Sequence, residues 1–421
     1  MSTGGEPSRP AEAGAEVVAT GCAVVGGGPA GMVLGLLLAR AGVDVVVLEK
    51  HADFFRDFRG DTVHPSTLRM LDELGLAEAF LGLPHQEVER IGVTTDEGTF
   101  AVADFSRLPG RYRFLTLVPQ WDFLDFLARE AARYPGFRLV MGAEAVDLLR
   151  RDGTVTGVRY VTADGRTGRV EAPLTVATDG RHSTLRERAG LAVRAFGAPM
   201  DVLWFRLRKS PDAAGPPFGG AGRLSRGRLL VLIDRGDYVQ TAYLVPKGGF
   251  GALQERGIEA FRADLGRLLP GREESIAEVR SWDDVKVLSV RVDRLRRWWL
   301  PGLLLIGDAA HAMSPIGGVG INLAVQDAAA AARILAPSLR TGRVPDGALA
   351  RVQRRRTVPT VVTQAVQRLI QQRFLARVLA GDEPIGTPGL LKVLQRRPAL
   401  QGVPARVIGL GVLPEHVPPG G

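Results

Sequence analysis

Residues Val24–Gly31 read VVGGGPAG. The stretch leading into this turn, Val17–Val25, is short and apolar and has no 3.6-residue period, the pattern of a buried strand. Gly31–Ala41, GMVLGLLLARA, follows as a helix that stops at Gly42. Val43–Leu48, VDVVVL, is a second buried strand, closed by Glu49. Strand, glycine turn, helix and strand in this order make a βαβ unit, which requires a parallel sheet covered on both faces.

Val17–Ala39 contains no charged residue and is long enough to cross a bilayer. Three consecutive glycines and Pro29 at its centre argue against a spanning helix and for a β-turn-α unit. The preceding residues carry Glu6, Glu12 and Glu16 against Arg9, unlike the basic start of a signal sequence. The expectation is a disordered leader over 1–15 and no integral membrane segment. The chain has 421 residues, 45% of them hydrophobic and 24% charged, enough for two or three domains with a large core. The single cysteine, Cys22, excludes an intrachain disulfide and a CxxC pair and reads as an inert core thiol. That usage agrees with a cytoplasmic protein. The net charge of +9 reads as scattered arginines with small clusters such as Arg354–Arg356. No basic block is interleaved with aromatics, so nucleic acid is not expected as a partner, whereas a phosphorylated cofactor suits the excess.

Further elements follow from pattern. Pro65–Leu74 and Gln120–Arg133 read as helices, and Val88–Phe105 as two short strands around TTDEGT. Phe137–Met141 and Val155–Val161 are strands with RDGTV and ADGRTG as hairpin turns. Leu174–Ala177 is a buried strand ending at TDG. Beyond about Leu191 the pattern changes: Val202–Arg208, Arg228–Ile233 and Tyr238–Val245 alternate, as in an antiparallel sheet. Leu303–Ile306 returns to the buried parallel type, Ala324–Leu335 is an alanine-rich helix, and arginine-rich helical patterns run to about Ala380 before a proline-broken tail. The expected fold is α/β. It combines a Rossmann-like dinucleotide-binding domain (16–85, 106–190 and 281–345), an antiparallel-sheet substrate domain (86–105 and 191–280) and a C-terminal helical segment (346–421).

Each part of the first turn has a physical task. Gly26 permits the tight turn, Gly28 lets a pyrophosphate approach the backbone, and Gly31 lets helix pack on strand, with Pro29 and Ala30 between them opening the helix. The helix N-terminus presents free N–H groups and a positive dipole end. Glu49 lies 18 residues beyond Gly31, placed to accept ribose hydroxyls and to repel a 2′-phosphate. The turn alone leaves NAD and FAD open.

A second glycine-rich turn ends LLLIGDAAHAMSPIGGVGIN, Leu303–Asn322. This segment, GGGPAG with VVLEK, and TDGRHSTLR at Thr178–Arg186 occur in one order and at spacings that resemble the class A flavoprotein monooxygenases, the para-hydroxybenzoate hydroxylase group. The resemblance runs from about Val17 to Leu335. FRGDTVHPSTLRMLDELGL, Phe58–Leu76, is also similar to that group. The resemblance implies FAD as cofactor. It implies that Asp308 holds the ribityl chain and that Gly317 and Gly320 let the flavin ring lie against bare backbone. The N–H groups of Ile321 and Asn322 are then aimed at the flavin N1–C2=O edge. It further implies that the Pro315 carbonyl lies near the reacting flavin carbon, that Arg59 and Gln120 contact FAD, and that Asp179–Gly180 serve FAD and the nicotinamide cofactor. Lys50, with His51, Arg56 and Arg59, offers positive charge for that cofactor. His311 takes a packing role.

The reaction so implied is hydroxylation: NADPH or NADH reduces FAD, O2 adds to give a C4a-hydroperoxide, and an aromatic or polyketide-type substrate takes one oxygen atom. Epoxidation, Baeyer–Villiger oxidation and an oxygen-independent flavin reaction remain alternatives on the same fold. The WxWxIP signature of flavin-dependent halogenases is absent, and the six histidines show no metal-binding spacing. The substrate is expected between the flavin and the antiparallel sheet, with Trp204, Arg206, Gln240 and Tyr243 as candidates; alternation alone leaves open which face meets the flavin. The expected assembly is a monomer or homodimer.

Overall fold

The computed structural model describes residues 16–55, 62–209, 220–225, 227–380 and 389–417. The expected leader, Arg56 and Arg59 lie outside these residues.

The glycine turn sits where its sequence requires. Cys22–Val25 pairs in parallel with Val45–Glu49, and the helix Pro29–Arg40 runs between them. Around this unit a six-stranded sheet has the order Trp299–Leu300, Leu303–Leu305, Thr175–Ala177, Cys22–Val25, Val45–Glu49, Phe137–Met141. Its pairs are parallel except at the Trp299–Leu300 edge. The central strands are fully buried, which is why they read as continuous apolar runs rather than alternating ones. The helices Pro29–Arg40 and Gly320–Arg340 cover one face with the core of Met32, Leu36, Val325 and Ala329.

The expected single strand Val17–Val25 is two strands. Glu16–Ala19 pairs with Thr167–Glu171 in a separate four-stranded sheet, and the chain turns at Thr20–Gly21 before Cys22–Val25 begins. Hydropathy does not mark this break, because both pieces are apolar.

The antiparallel module is a seven-stranded sheet, ordered Lys286–Leu288, Met200–Arg208, Tyr238–Pro246, Arg228–Asp234, Gly220–Ser225, Arg90–Thr95, Gly98–Asp104. One face, with Leu203, Phe205, Leu207 and Tyr243, packs on the helix Ile258–Leu268 through Phe261 and Leu265. The other face carries Val202, Trp204, Ala242 and Leu244, and its partners include Ile316 of the second glycine turn and Leu375. The C-terminal region is more helical than its prolines suggest. After Asp346–Ile370 come the short helices Gly389–Arg396 and Gly402–Gly409, with Pro404 in the first turn of the latter, where its missing N–H costs nothing. The helix-containing segment Ile316–Arg340 is the one described stretch long and apolar enough to cross a membrane, and 72% of that window is buried inside the protein.

Candidate active site

Three sequence motifs meet at the carboxyl ends of the parallel strands. A Cβ placed on Gly26 would lie 2.5 Å from the Thr178 carbonyl oxygen and 2.9 Å from the Asp179 Cα. One on Gly31 would lie 1.9 Å from the Gly26 carbonyl oxygen. Both glycines are therefore required by close backbone approach, and Gly26 also by its φ of +105°. Thr178 locks the junction, its Oγ1 lying 2.8 Å from the Val25 carbonyl oxygen and 2.7 Å from that of Gly26. The second turn joins at Gly307, whose added Cβ would sit 3.4 Å from the methyl groups of Ala30 and Ala324. The two glycine turns are thus neighbours, although nearly 300 residues separate them in the chain.

Gly28 differs from its companions: a Cβ there would meet nothing within 4 Å. It opens onto free space at the N-terminus of Pro29–Arg40, the place where an anion gains most from unpaired N–H groups. Glu49, buried at the end of its strand, accepts from the Gly27 N–H at 2.8 Å through Oε2 and from the His51 N–H at 3.1 Å through Oε1. Lys50 is exposed beside it.

On the opposite side of the crevice, Asp308 is partly exposed and its Oδ2 lies 3.2 Å from Nη2 of Arg181. Asp179 is buried. Its Oδ2 accepts from the Leu185 N–H at 3.1 Å, while its Oδ1 is buried without a hydrogen-bond partner among the described residues. Burial raises its carboxyl above the ordinary range, against the lowering effect of Ser183 and the Leu185 N–H. Gly180 has a φ of +81° and open space on its Cβ side.

The loop after Asp308 is held from three directions. Asp327 accepts from the Gly307 N–H at 3.1 Å, from His311 Nε2 at 2.6 Å and from Arg356 Nε at 2.8 Å. Each of these three side chains is at most 1% exposed, so the charges are paired out of water. His311 is therefore a structural partner of Asp327. Gln367 brackets Pro315: its Oε1 accepts from the Ser314 N–H, and its Nε2 donates to the carbonyls of Ser314 and Ile316, both at 2.9 Å. The Pro315 carbonyl itself accepts from the Gly318 N–H at 3.0 Å. Below the loop, the buried His64 ring places Nε2 3.3 Å from the Gly317 carbonyl oxygen. Gly317 and Gly318 have φ of +77° and +63°, so this loop is accessible only to glycine without strain.

Gly320 begins the helix Gly320–Arg340, with open space where a Cβ would be. Ile321 and Asn322 lie in its first turn, where N–H groups have no intrahelical acceptor. The Asn322 side chain is fixed by donors from Ser66 Oγ at 2.7 Å and Thr67 Oγ1 at 2.9 Å. Gln120 is the first residue of Gln120–Ala131.

Of the substrate candidates, Trp204 and Gln240 lie on the sheet face shared with Ile316, and Tyr243 does not. Trp204 pairs with Ala242 and Arg206 with Gln240, so these four share one side. Trp204 packs in the cluster that contains Ile316, and its Nε1 is buried without a hydrogen-bond partner among the described residues. Gln240 accepts from Arg235 Nε at 3.0 Å. Arg206 is exposed and its guanidinium lies 4.9 Å from the Tyr238 ring centroid. Tyr243 packs edge-on against Phe261 under the helices, with ring centroids 5.4 Å apart. Among the described residues no group of three or more His, Cys, Asp or Glu side chains could hold a metal ion. Sequence reading passed over Arg181, His64, Asp327, Arg356 and Gln367. Only Arg181, adjacent to the TDG motif, carried a local signal.

Residues 19–367 match the family described as FAD binding domain. The chain belongs to this family of FAD-binding monooxygenases. It is 34% identical to the 6-methylpretetramide 4-monooxygenase of Streptomyces rimosus, over 96% of this chain and 94% of that one. Its fold is similar to Pseudomonas aeruginosa PqsL, with a TM-score of 0.71 and 23% identity over 86% of this chain and 99% of that one. It is also similar to the OxyS anhydrotetracycline hydroxylase of Streptomyces rimosus, with a TM-score of 0.71 and 22% identity over 93% and 76% of the two chains. The residues present fit FAD: an open glycine at one helix N-terminus, a second open glycine at another, and the Asp179 Oδ1, buried with no hydrogen-bond partner among the described residues.

Proposed function

We propose that this flavoenzyme inserts one oxygen atom from O2 into an aromatic, polyketide-type small molecule, with NADPH or NADH as transient reductant. Bound FAD supplies the redox chemistry, hydride acceptance and activation of O2 at C4a. The chain's own residues bind, orient and keep water out. The first-turn N–H groups of Pro29–Arg40 hold the pyrophosphate over Gly28, and Glu49 exchanges its bond to Gly27 for the ribose hydroxyls. Gln120 and Arg59 add contacts along the cofactor, and Asp308, with Arg181 beside it, holds the ribityl hydroxyls. The N–H groups of Ile321 and Asn322 and the dipole of their helix stabilise negative charge at the flavin pyrimidine edge. Asp179–Gly180 and Lys50 lie along the groove proposed for the nicotinamide cofactor. The loop through Pro315, clamped by Gln367, would lie beside the flavin and limit water there.

The observation that carries the substrate reading is Trp204. Its indole N–H is buried, without a partner among the described residues, and on the sheet face packed with Ile316. A donor in that position suits a phenol or ketone oxygen held between sheet and flavin. The similarity to a monooxygenase named for 6-methylpretetramide supports a polycyclic substrate.

The test is a stopped assay of the FAD-loaded enzyme with NADPH or NADH, O2 and a panel of polycyclic phenols. Cofactor oxidation triggered by substrate, with product heavier by one oxygen atom, is expected. Flavin reduction with no oxygen consumed on any substrate overturns the reading in favour of a dehydrogenase.

A further inference from the structure

The helix Asp346–Ile370 is inside out over its second half. Its buried side carries Arg356, Thr360, Gln364 and Gln367, followed by Gln371 in the next turn. These glutamines bond the loops beneath: Gln364 Nε2 donates to the Asp293 carbonyl at 2.7 Å, and Gln371 Nε2 to Ser314 Oγ at 2.9 Å. Every exposed residue between Thr357 and Gln371 is aliphatic. Val358, Val362 and Leu369 are 50%, 38% and 56% exposed, on a surface where a soluble helix normally places charge. A second aliphatic set follows on the C-terminal helices, with Leu390, Val393, Val403 and Val407 exposed. Val407 lines the same cleft as Pro359 and Thr363, which sets the last helix beside Asp346–Ile370.

Charge is concentrated in the same region. Residues 347–414 hold eleven basic and two acidic side chains; Arg355, Arg356 and Lys392 are paired with Glu415, Asp327 and Glu97. Arg351 and Arg354 stand exposed at one end of the aliphatic stripe and Arg373 at the other, with Arg396, Arg397 and Arg406 exposed on the second set.

We propose that this face docks on an anionic membrane surface. An aliphatic helix face lying flat, rimmed by arginines whose stems reach up to the headgroups, is the geometry of an interfacial helix. Each cation near an anionic leaflet adds to the attraction, which salt screens. A second copy of the chain is disfavoured, because an isologous contact would bring two faces of the same charge together. A protein partner is disfavoured by the absence of aromatic anchors: residues 347–414 contain one aromatic side chain, Phe374, and it is not exposed.

The test uses the full-length FAD-loaded protein in flotation with vesicles of phosphatidylcholine alone and of phosphatidylcholine mixed with phosphatidylglycerol. Co-flotation with the mixed vesicles only, weakened by salt, is expected. It is expected to be lost in Leu369→Glu and in Val362→Glu, and weakened severalfold in Arg396→Gln/Arg397→Gln, while all three keep their bound flavin. No co-flotation with mixed vesicles at low salt overturns the proposal. So does co-flotation unchanged by both glutamate substitutions, and so does a dimer by light scattering that Leu369→Glu dissociates.

Discussion

Arg181 and Asp308, 127 residues apart in the chain, meet with Nη2 and Oδ2 3.2 Å apart. This contact joins the loop after one central strand to the loop after its neighbour, Leu303–Leu305, and so fixes where the Asp308 carboxylate points. Arg181→Leu is therefore a control for the prediction that follows.

Asp308→Ala weakens FAD retention by roughly ten- to hundredfold, the consequence of losing a charge-assisted hydrogen bond of about 1.5–3 kcal/mol. The ratio of visible flavin absorbance to protein absorbance after gel filtration measures it. Undiminished flavin content refutes the assignment of Asp308 to the cofactor. Arg181→Leu is expected to weaken retention less, because it leaves the carboxylate in place.

Gly28 and Gly31 separate cofactor binding from folding. Gly31→Ala puts a methyl group 1.9 Å from the Gly26 carbonyl oxygen and is expected to cost about 3 kcal/mol or more of stability. The Cβ of Gly28→Val meets nothing within 4 Å, and the φ of −72° suits any residue, so the fold is expected to survive. The valine nonetheless occupies the place proposed for the pyrophosphate. Thermal unfolding of the apoprotein together with flavin content distinguishes the two. A Gly28→Val protein that retains FAD at wild-type level removes the pyrophosphate from this turn.

Trp204→Phe removes a buried donor that has no partner among the described residues. Its stability is expected to be unchanged or raised, since an unsatisfied polar group is lost. KM for the oxidised substrate rises about three- to tenfold, the worth of one neutral hydrogen bond. Tyr243→Phe, on the face turned toward Phe261, leaves KM unchanged. Equal effects of the two substitutions on KM reject the face assignment.

His64 predicts a pH dependence of stability. Burial drives its pKa down to about 4, against the raising effect of the Gly317 and Thr62 carbonyls. The unfolded chain binds the proton near pH 6.5. The folded pKa is the lower one, so the stabilisation is complete above pH 6.5 and is lost as pH falls toward 4. The full span is about 3 kcal/mol. Urea midpoints at pH 7.5 and 5 report it. His64→Asn, which places a favoured residue at the N-cap of Pro65–Glu73, is expected to show a shallower fall. An identical slope in that variant assigns the dependence elsewhere.

Much of the fold was legible because backbone requirements leave local marks. Gly26, Gly28 and Gly31 between two apolar runs specify strand, turn and helix. The change from continuous apolar strands to alternating ones near Met200–Arg208 marks the passage from a parallel sheet covered on both sides to an antiparallel one. The break at Thr20–Gly21 was not legible, because pairing partners and not hydropathy decide which sheet an apolar strand joins. The glutamine-rich side of Asp346–Ile370 misleads in the same way, since its polar residues face inward to bond the Ser314–Ile316 loop.

The sequence by itself determined the βαβ unit and its glycine turn, because close backbone approach admits only residues without side chains, and its three ordered motifs carried the resemblance to a family that binds FAD. The tertiary structure alone decided which partners hold those turns, Arg181 for Asp308, Asp327 for Gly307 and Gln367 for Pro315. It also decided which face of the antiparallel sheet, the one with Trp204, turns toward Ile316. Those choices depend on the packing of residues distant in the chain, and no local periodicity encodes them.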